Sequence, residues 1–230
     1  MQNAARSAYA VISASAVIPA QAGIQGGEAP IVRHLGLAGF APTYQAMRRF
    51  TDARGTTTPD ELWVLEHPPV YTVGVAGREK HFPRGSAIPI ERIDRGGQIT
   101  YHGPGQAIVY ALVDLARRGL TVRAMVTLLE QAVIDTLREH DVKAGRKTGA
   151  PGVYVDGAKI AALGLRVRRG CCYHGVALNV DMDLAPFSAI DPCGYPGLAV
   201  TQTRAHGVPA GAEEMGDELA RRIARLIEDP

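Results

Sequence analysis

Val153-Tyr154-Val155-Asp156-Gly157-Ala158-Lys159-Ile160 is the stretch from which the fold is read outward. Two short apolar runs flank an Asp-Gly pair, the two-residue hairpin signal, because glycine accepts the positive φ that a primed turn requires. Downstream, Arg169-Gly170 makes a second reversal, so Lys159 to Arg168 and Cys171 to Val180 extend the hairpin into an antiparallel meander. Upstream, Thr121 can cap a helix whose Val122, Met125, Val126, Leu129, Val133 and Leu137 share one face, the pattern of a helix laid on a sheet.

Farther out, Leu62 to Leu65 reads as a buried strand halted by His67-Pro68-Pro69, since proline brings no donor to a ladder. Val70 to Val75 and Ile88 to Ile93 read as further strands, with Arg78 to Ala87 as a loop, and Ala107 to Leu112 as a strongly apolar strand. Thr43 to Ala53 reads as a short helix, Asp181 to Gly197 as irregular chain, and the segment around Met215, Leu219, Ile223 and Leu226 as a final amphipathic helix. Strands joined by hairpins outnumber helices. The expectation is an α+β fold, with helices packed on a mixed, largely antiparallel sheet in one domain over residues 31–230. Residues 1–30 read as a disordered, alanine-rich extension, with an export leader around Tyr9 to Ile18 as the alternative.

Composition narrows the function. The chain has 230 residues, 25 basic and 23 acidic side chains and a formal charge of +2, too mild for a nucleic-acid binder. Three cysteines cannot staple a chain of this length and suit a reducing, cytoplasmic setting. No apolar run of about 18 residues indicates a membrane span. Gly145-Arg146-Lys147-Thr148-Gly149 lacks the glycine before the lysine of a phosphate loop, and Arg95-Gly96-Gly97 fails the dinucleotide pattern.

Candidate chemistry lies in the thiols, two histidines and one lysine. Adjacent Cys171 and Cys172 sit in a strand-like run and read as core; a zinc site with His174 and Cys193 lacks the spacing of a structural tetrahedron. Cys193, between Pro192 and Gly194, is presented by a turn where freed backbone N–H groups can face an oxyanion, or it is a buried loop cysteine. Lys159, His102 and His174 are candidate bases. Lys159 either lies in the apolar run, so that its pKa falls or it finds an anionic partner such as a thiolate, or faces water at the hairpin end. The glycines of Arg95 to Gly105 let backbone approach a ligand closely, with Tyr101 and His102 as a polar edge.

Arg95-Gly96-Gly97-Gln98-Ile99-Thr100-Tyr101-His102-Gly103-Pro104-Gly105-Gln106, Ala150-Pro151-Gly152-Val153-Tyr154-Val155, Lys159-Ile160-Ala161-Ala162-Leu163-Gly164-Leu165-Arg166, Tyr173-His174-Gly175-Val176-Ala177-Leu178-Asn179-Val180 and Asp191-Pro192-Cys193-Gly194 occur in this order. Together with His67-Pro68-Pro69-Val70 they resemble the lipoyl(octanoyl) transferases, relatives of the biotin and lipoate protein ligases. The resemblance runs from Ile31 to the C-terminus. It implies that α+β fold and transfer of an octanoyl group from octanoyl-acyl carrier protein to a lysine of lipoyl domains, in 2-oxoacid dehydrogenase complexes or the glycine cleavage H protein. By resemblance, Cys193 is the nucleophile that holds the acyl group as a thioester, and Lys159 lowers its pKa and moves protons. The substrate pocket is carried over to Arg95, Gly96, Gly97, Gln98, Ile99, Thr100, Tyr101 and His102, to Ala162, Leu163 and Gly164, and to Tyr173, His174 and Gly175. No cofactor, metal or ATP is implied. Arg166, Arg168 and Arg169 are candidates for meeting an acidic carrier or acceptor surface. An ATP-dependent lipoate or biotin protein ligase shares the lysine, so Cys193 separates the readings; a non-catalytic acyl-carrier binding module is the third.

Overall fold

Both reversals are primed turns: Asp156 and Gly157 have φ of 49° and 84°, and Arg169 and Gly170 of 52° and 79°. They sit in a computed structural model that describes residues 28–83, 86–191 and 197–229. Cys193 and its neighbours Pro192, Gly194, Tyr195 and Pro196 lie outside the described residues, as do residues 1–27. In chain order the elements are β1 (Ile31–Leu37), α1 (Phe40–Ala53), β2 (Glu61–Glu66), β3 (Val70–Val73), β4 (Ile90–Arg92), β5 (Ile99–His102), β6 (Gln106–Asp114), α2 (Val122–Glu139), β7 (Gly145–Lys147), β8 (Ala150–Val155), β9 (Ala158–Arg168), β10 (Cys171–Asn179) and α3 (Ala212–Glu228).

Seven strands form one sheet in the order β1-β2-β6-β10-β9-β8-β7, and β4-β3-β5 form a second, smaller one. Only β1 with β2 and β3 with β4 pair in parallel among the described strands, so the mixed, largely antiparallel expectation holds. The second sheet was not foreseen. Glycines frame β5 so closely that the stretch reads as loop, yet Ile99 and Tyr101 are buried in an apolar cluster with Tyr71, Val73 and Phe187. Here tertiary burial overrides the low strand propensity of the flanking glycines.

α2 and α3 cover one face of the large sheet. Thr121 does cap α2, its side chain accepting from the Ala124 N–H. Met125, Leu129, Val133 and Leu137 are fully buried against Val153, Ile160, Leu165 and Cys172, and each such side chain contributes about 1.5–3 kcal/mol. Val122 is a correction: it is 47% exposed, because the first helical turn projects past the sheet before the stripe begins to bury. α1 begins at Phe40 rather than Thr43, and the Thr43 hydroxyl donates to the Gly39 carbonyl. Together α1 and the small sheet cover the opposite face.

Asp60 fastens the end of β6 to the chain before β2. It accepts from Arg54, Arg117, Arg118 and the Asp114 N–H. Burial alone would raise its pKa, but these donors and the Arg117 charge outweigh burial and lower it. Arg118 also donates to the Glu28 carbonyl at 2.6 Å, so the chain is already tied down before residue 31. Among the described residues, no helix is long and apolar enough to cross a membrane.

Candidate active site

Strand alternation decides which side chains enter the space between the two sheets. On β9, Ala161 and Leu165 face the α2 and α3 layer. By that period Lys159 would face it too. Between Val153↔Ala161 and Tyr154↔Lys159 the register slips, however, so one extra residue, Ile160, is accommodated on β9. Such a bulge re-aims the neighbouring side chain: Ile160 enters the helix-side core and Lys159 lines the cleft.

Lys159 is only 4% exposed, so the solvent-facing alternative is corrected. Its Nζ donates to the Pro151 carbonyl at 2.9 Å and lies 5.8 Å from the centroid of the Tyr154 ring. Gly152 leaves the room: a Cβ there would stand 2.5 Å from Lys159 Cε and 3.0 Å from Nζ, and its φ is +134°. The Lys159 backbone is also paired, its N–H donating to the Ala199 carbonyl and its carbonyl accepting from the Thr201 N–H. The chain that follows residues 192–196 therefore runs alongside the lysine.

His174 is aimed by a different break. Cys172 and Val176 of β10 face the helix-side core, so His174 should as well. Its φ of +65° turns it to the other side instead. There it stacks on Tyr44 at 5.6 Å, and its Nε2–H donates to Asp94 Oδ1 at 3.3 Å. Tyr173 donates to the other Asp94 oxygen at 2.5 Å, and the Tyr44 hydroxyl donates to the same carboxylate. Burial pushes the Asp94 pKa up, but the three donors hold it well below the usual carboxylate range. Burial lowers the pKa of His174, against the opposing pull of Asp94.

A third group of side chains forms a continuous polar path. Arg95 donates to the Thr72 carbonyl and hydroxyl at 2.7 and 3.0 Å. The Thr72 hydroxyl in turn donates to His102 Nε2, and His102 Nδ1–H donates to Gln106 Oε1 at 2.7 Å. Gln106 donates to Asn179 Oδ1, and Asn179 donates to the Thr201 carbonyl beside Lys159. With both ring nitrogens engaged and burial holding its pKa at about 3, His102 is a neutral wall of the cleft rather than a proton carrier at neutral pH. His67 behind it is also buried neutral, its pKa lowered to about 4, with Nδ1–H on the Ala38 carbonyl and Nε2 accepting from Tyr110.

The resulting cleft encloses about 770 Å³ including its open mouth. Of the residues singled out in the sequence, the structure gathers Arg95, Gly97, Gln98, Ile99, Thr100, His102, Lys159, Ala162, Leu163, Gly164, His174 and Gly175 around it. Gly96, Tyr101 and Tyr173 are not in its wall. The Gly96 N–H is used to tie the glycine-rich loop to the Leu165 carbonyl. Tyr101 packs edge-on against Phe187 in the second core, and Tyr173 lies beneath α1 with its hydroxyl on Asp94. Phe40, Tyr110, Asn179 and Val200 are among the further wall residues that were not foreseen. Each reads as ordinary core or helix end in the sequence.

Cys172 is completely buried and its thiol is pushed up to about 12 by burial; Cys171 is raised for the same reason. Neither is a nucleophile at neutral pH. Of the three arginines considered for docking, Arg168 pairs with the Asp52 carboxylate at 2.9 Å and Arg169 donates to the Asp52 carbonyl, while Arg166 is exposed. Among the described residues no three His, Cys, Asp or Glu side chains are grouped to hold a metal.

Residues 43–224 match the lipoyl protein ligase A/B catalytic domain. An octanoyltransferase of Aromatoleum aromaticum is 58% identical over 213 residues, 92% of either chain. An octanoyltransferase of Dechloromonas aromatica is 55% identical over 199 residues, covering 86% of this chain and 97% of its own. Among solved structures, a bipartite lipoate protein ligase with its E2 lipoyl domain from Thermoplasma acidophilum superimposes with a TM-score of 0.66 at 17% identity, over 84% of this chain and 82% of that one. At that identity the likeness is one of fold.

Proposed function

This chain belongs to the lipoyl protein ligase A/B catalytic domain family, and from that membership we propose an octanoyltransferase that works through a thioester on Cys193. The observation that carries the reading is the cleft itself: a buried lysine amine in a largely apolar space, its backbone laddered to the chain that follows Cys193. Residues 31–230 form the catalytic domain in this reading. Octanoyl-acyl carrier protein in the cytoplasm is the donor, and lipoyl domains of 2-oxoacid dehydrogenase complexes and the glycine cleavage H protein are the acceptors.

The steps follow from thioester chemistry. The Cys193 thiolate attacks the donor carbonyl, the new C–S bond forms, the donor C–S bond breaks, and the departing carrier thiolate takes a proton. An acceptor lysine amine then attacks the acyl-cysteine; a C–N bond forms, Cys193 leaves as thiolate, and the amine loses its proton. Lys159 as ammonium favours the thiolate and supplies or removes the proton at each collapse. A free thiol of pKa about 8.5 is mostly protonated at neutral pH, and a neighbouring cation lowers that value. The donor thioester already holds the energy for acylation, so the reaction needs no nucleotide. The wall offers Ile99, Leu163 and Ala177 to the acyl chain, and each methylene buried contributes about 0.8 kcal/mol, roughly fourfold per carbon.

Intact-mass measurement after mixing with octanoyl-carrier protein in the absence of ATP tests the reading. A gain of one octanoyl group, lost in Cys193→Ser, is expected. Acyl transfer that appears only with ATP and free acid would make the chain a ligase. Binding with no adduct under either condition would make it a carrier-binding module.

A further inference from the structure

We propose that Glu130, on α2 behind the sheet, is a positioning residue for Lys159 and acts through a single peptide group, the one joining Pro151 to Gly152. The inference rests on the catalytic reading of Lys159 and names a residue that no motif singles out.

The Pro151 carbonyl accepts from Lys159 Nζ at 2.9 Å, and the Gly152 N–H donates to Glu130 Oε1 at 3.0 Å. These two groups are the opposite ends of one planar amide. Whatever fixes the direction of the N–H therefore fixes the direction of the carbonyl that holds the amine. A glycine at φ +134° has few local constraints on that plane, so the orientation must come from partners. Glu130 is a buried carboxylate, its side chain 10% exposed, and it is itself held: Arg146 Nε donates to its other oxygen at 2.9 Å. Arg146 is anchored in turn on the Thr127 carbonyl and Gln131 Oε1. A carboxylate accepting the N–H also polarises the amide and strengthens its carbonyl as an acceptor.

The path thus runs from Arg146 through Glu130 and the amide to the ammonium, with charges alternating along it. Glu130 does not line the cleft. Among the described residues, the other charged or titratable groups facing this corner are Tyr154; Lys147, 5.9 Å from the Tyr154 ring; and Arg95, His102, Tyr110 and His174 around the cleft.

The test is the pH profile of ATP-free acylation, followed by intact mass, in Glu130→Ala, Glu130→Gln, Lys159→Ala and the double variant Glu130→Ala/Lys159→Ala. Glu130→Ala is expected to slow acylation at pH 7 by about tenfold and move the midpoint of the profile up by about one unit, as a displaced cation raises a thiol pKa. Glu130→Gln keeps an oxygen for the Gly152 N–H and restores most of the rate. In the Lys159→Ala background the Glu130 substitution has no further effect, whereas a merely structural role would slow both backgrounds alike. An unchanged profile in Glu130→Ala, or equal slowing in both backgrounds, overturns the proposal while leaving the role of Lys159 intact. An unchanged profile in Lys159→Ala overturns the catalytic reading and this one with it. Should Glu130→Ala not fold, Arg146→Ala frees the carboxylate from the surface side; it is expected to shift the profile in the same direction by less, and no shift there overturns the proposal.

Discussion

Lys159 on β9 and His174 on β10 both face the cleft against the period of their strands, but they are turned by different means. The lysine is turned by an inserted residue, and its own backbone N–H and carbonyl are paired with Ala199 and Thr201. The histidine is turned by a left-handed backbone, which for a residue with a Cβ costs about 1–3 kcal/mol and is offset by Asp94 and the Tyr44 ring. One corner keeps a cation among a carbonyl and an aromatic face. The other keeps a neutral imidazole over a carboxylate. The two walls of one cleft should therefore fail under different stresses.

Acid should break the histidine side first, and this is the largest effect. His102 and His67 have folded pKa values of about 3 and about 4, chiefly because they are buried, against 6.5 for an ordinary imidazole. A depressed histidine contributes stability that is complete above 6.5 and lost as pH falls through that value toward the folded pKa. The loss amounts to about 1.4 kcal/mol per unit for each ring. Urea midpoints at pH 7, 5.5 and 4.5 should fall steeply, and more shallowly in His102→Gln. Midpoints flat across that range would refute the neutral-wall description.

Asp94→Asn comes next. It removes the charge on which Tyr44, Tyr173 and His174 converge, and loss of charge-assisted hydrogen bonds costs about 2 kcal/mol in chemical denaturation. The Asp94 pKa is depressed in the fold, so its contribution is present above the ordinary value of 3.8 and disappears only in stronger acid. The stability gap between wild type and Asp94→Asn should accordingly stay constant from pH 7 to 5. A gap that closes in that interval would assign the effect to His174 instead.

The smallest effect sharpens the contrast most. At His174, glycine should be more stable than alanine by about 1 kcal/mol, because only glycine takes the left-handed backbone without strain. At Lys159 the order should reverse, alanine exceeding glycine by about 0.5–1 kcal/mol, since the bulge demands no positive φ. Thermal unfolding of the four variants measures both differences. The same order at both positions would mean that the two breaks are not physically distinct.

Local rules carried much of this fold. The Asp156-Gly157 and Arg169-Gly170 turns, the Thr121 cap and the periodic stripes of α2 and α3 depend on nearest neighbours and could be read directly. β3 and β4 could be read as strands too, but β5 and the pairing of the three into a separate sheet could not, because β5 is a strand by virtue of the core it shares with Phe187 and Met182, far along the chain. Lys159 and His174 were visible as residue types with chemical potential. Their aim was not, since an alternation count across β9 and β10 sends both to the wrong face. Glu130 and Asp94 left no signal, as an acidic residue on an amphipathic helix or beside a glycine turn reads as solvated.

The sequence by itself determined the types of the longer elements, the meander and its turns, and the family, because these follow from φ preferences, burial periods and ordered motifs. Only the tertiary structure decided that the lysine is buried, that a carboxylate behind the sheet shares a peptide group with it, and that the imidazoles of the wall are neutral. Those properties depend on which distant segments exclude water from a side chain, and no local pattern records that.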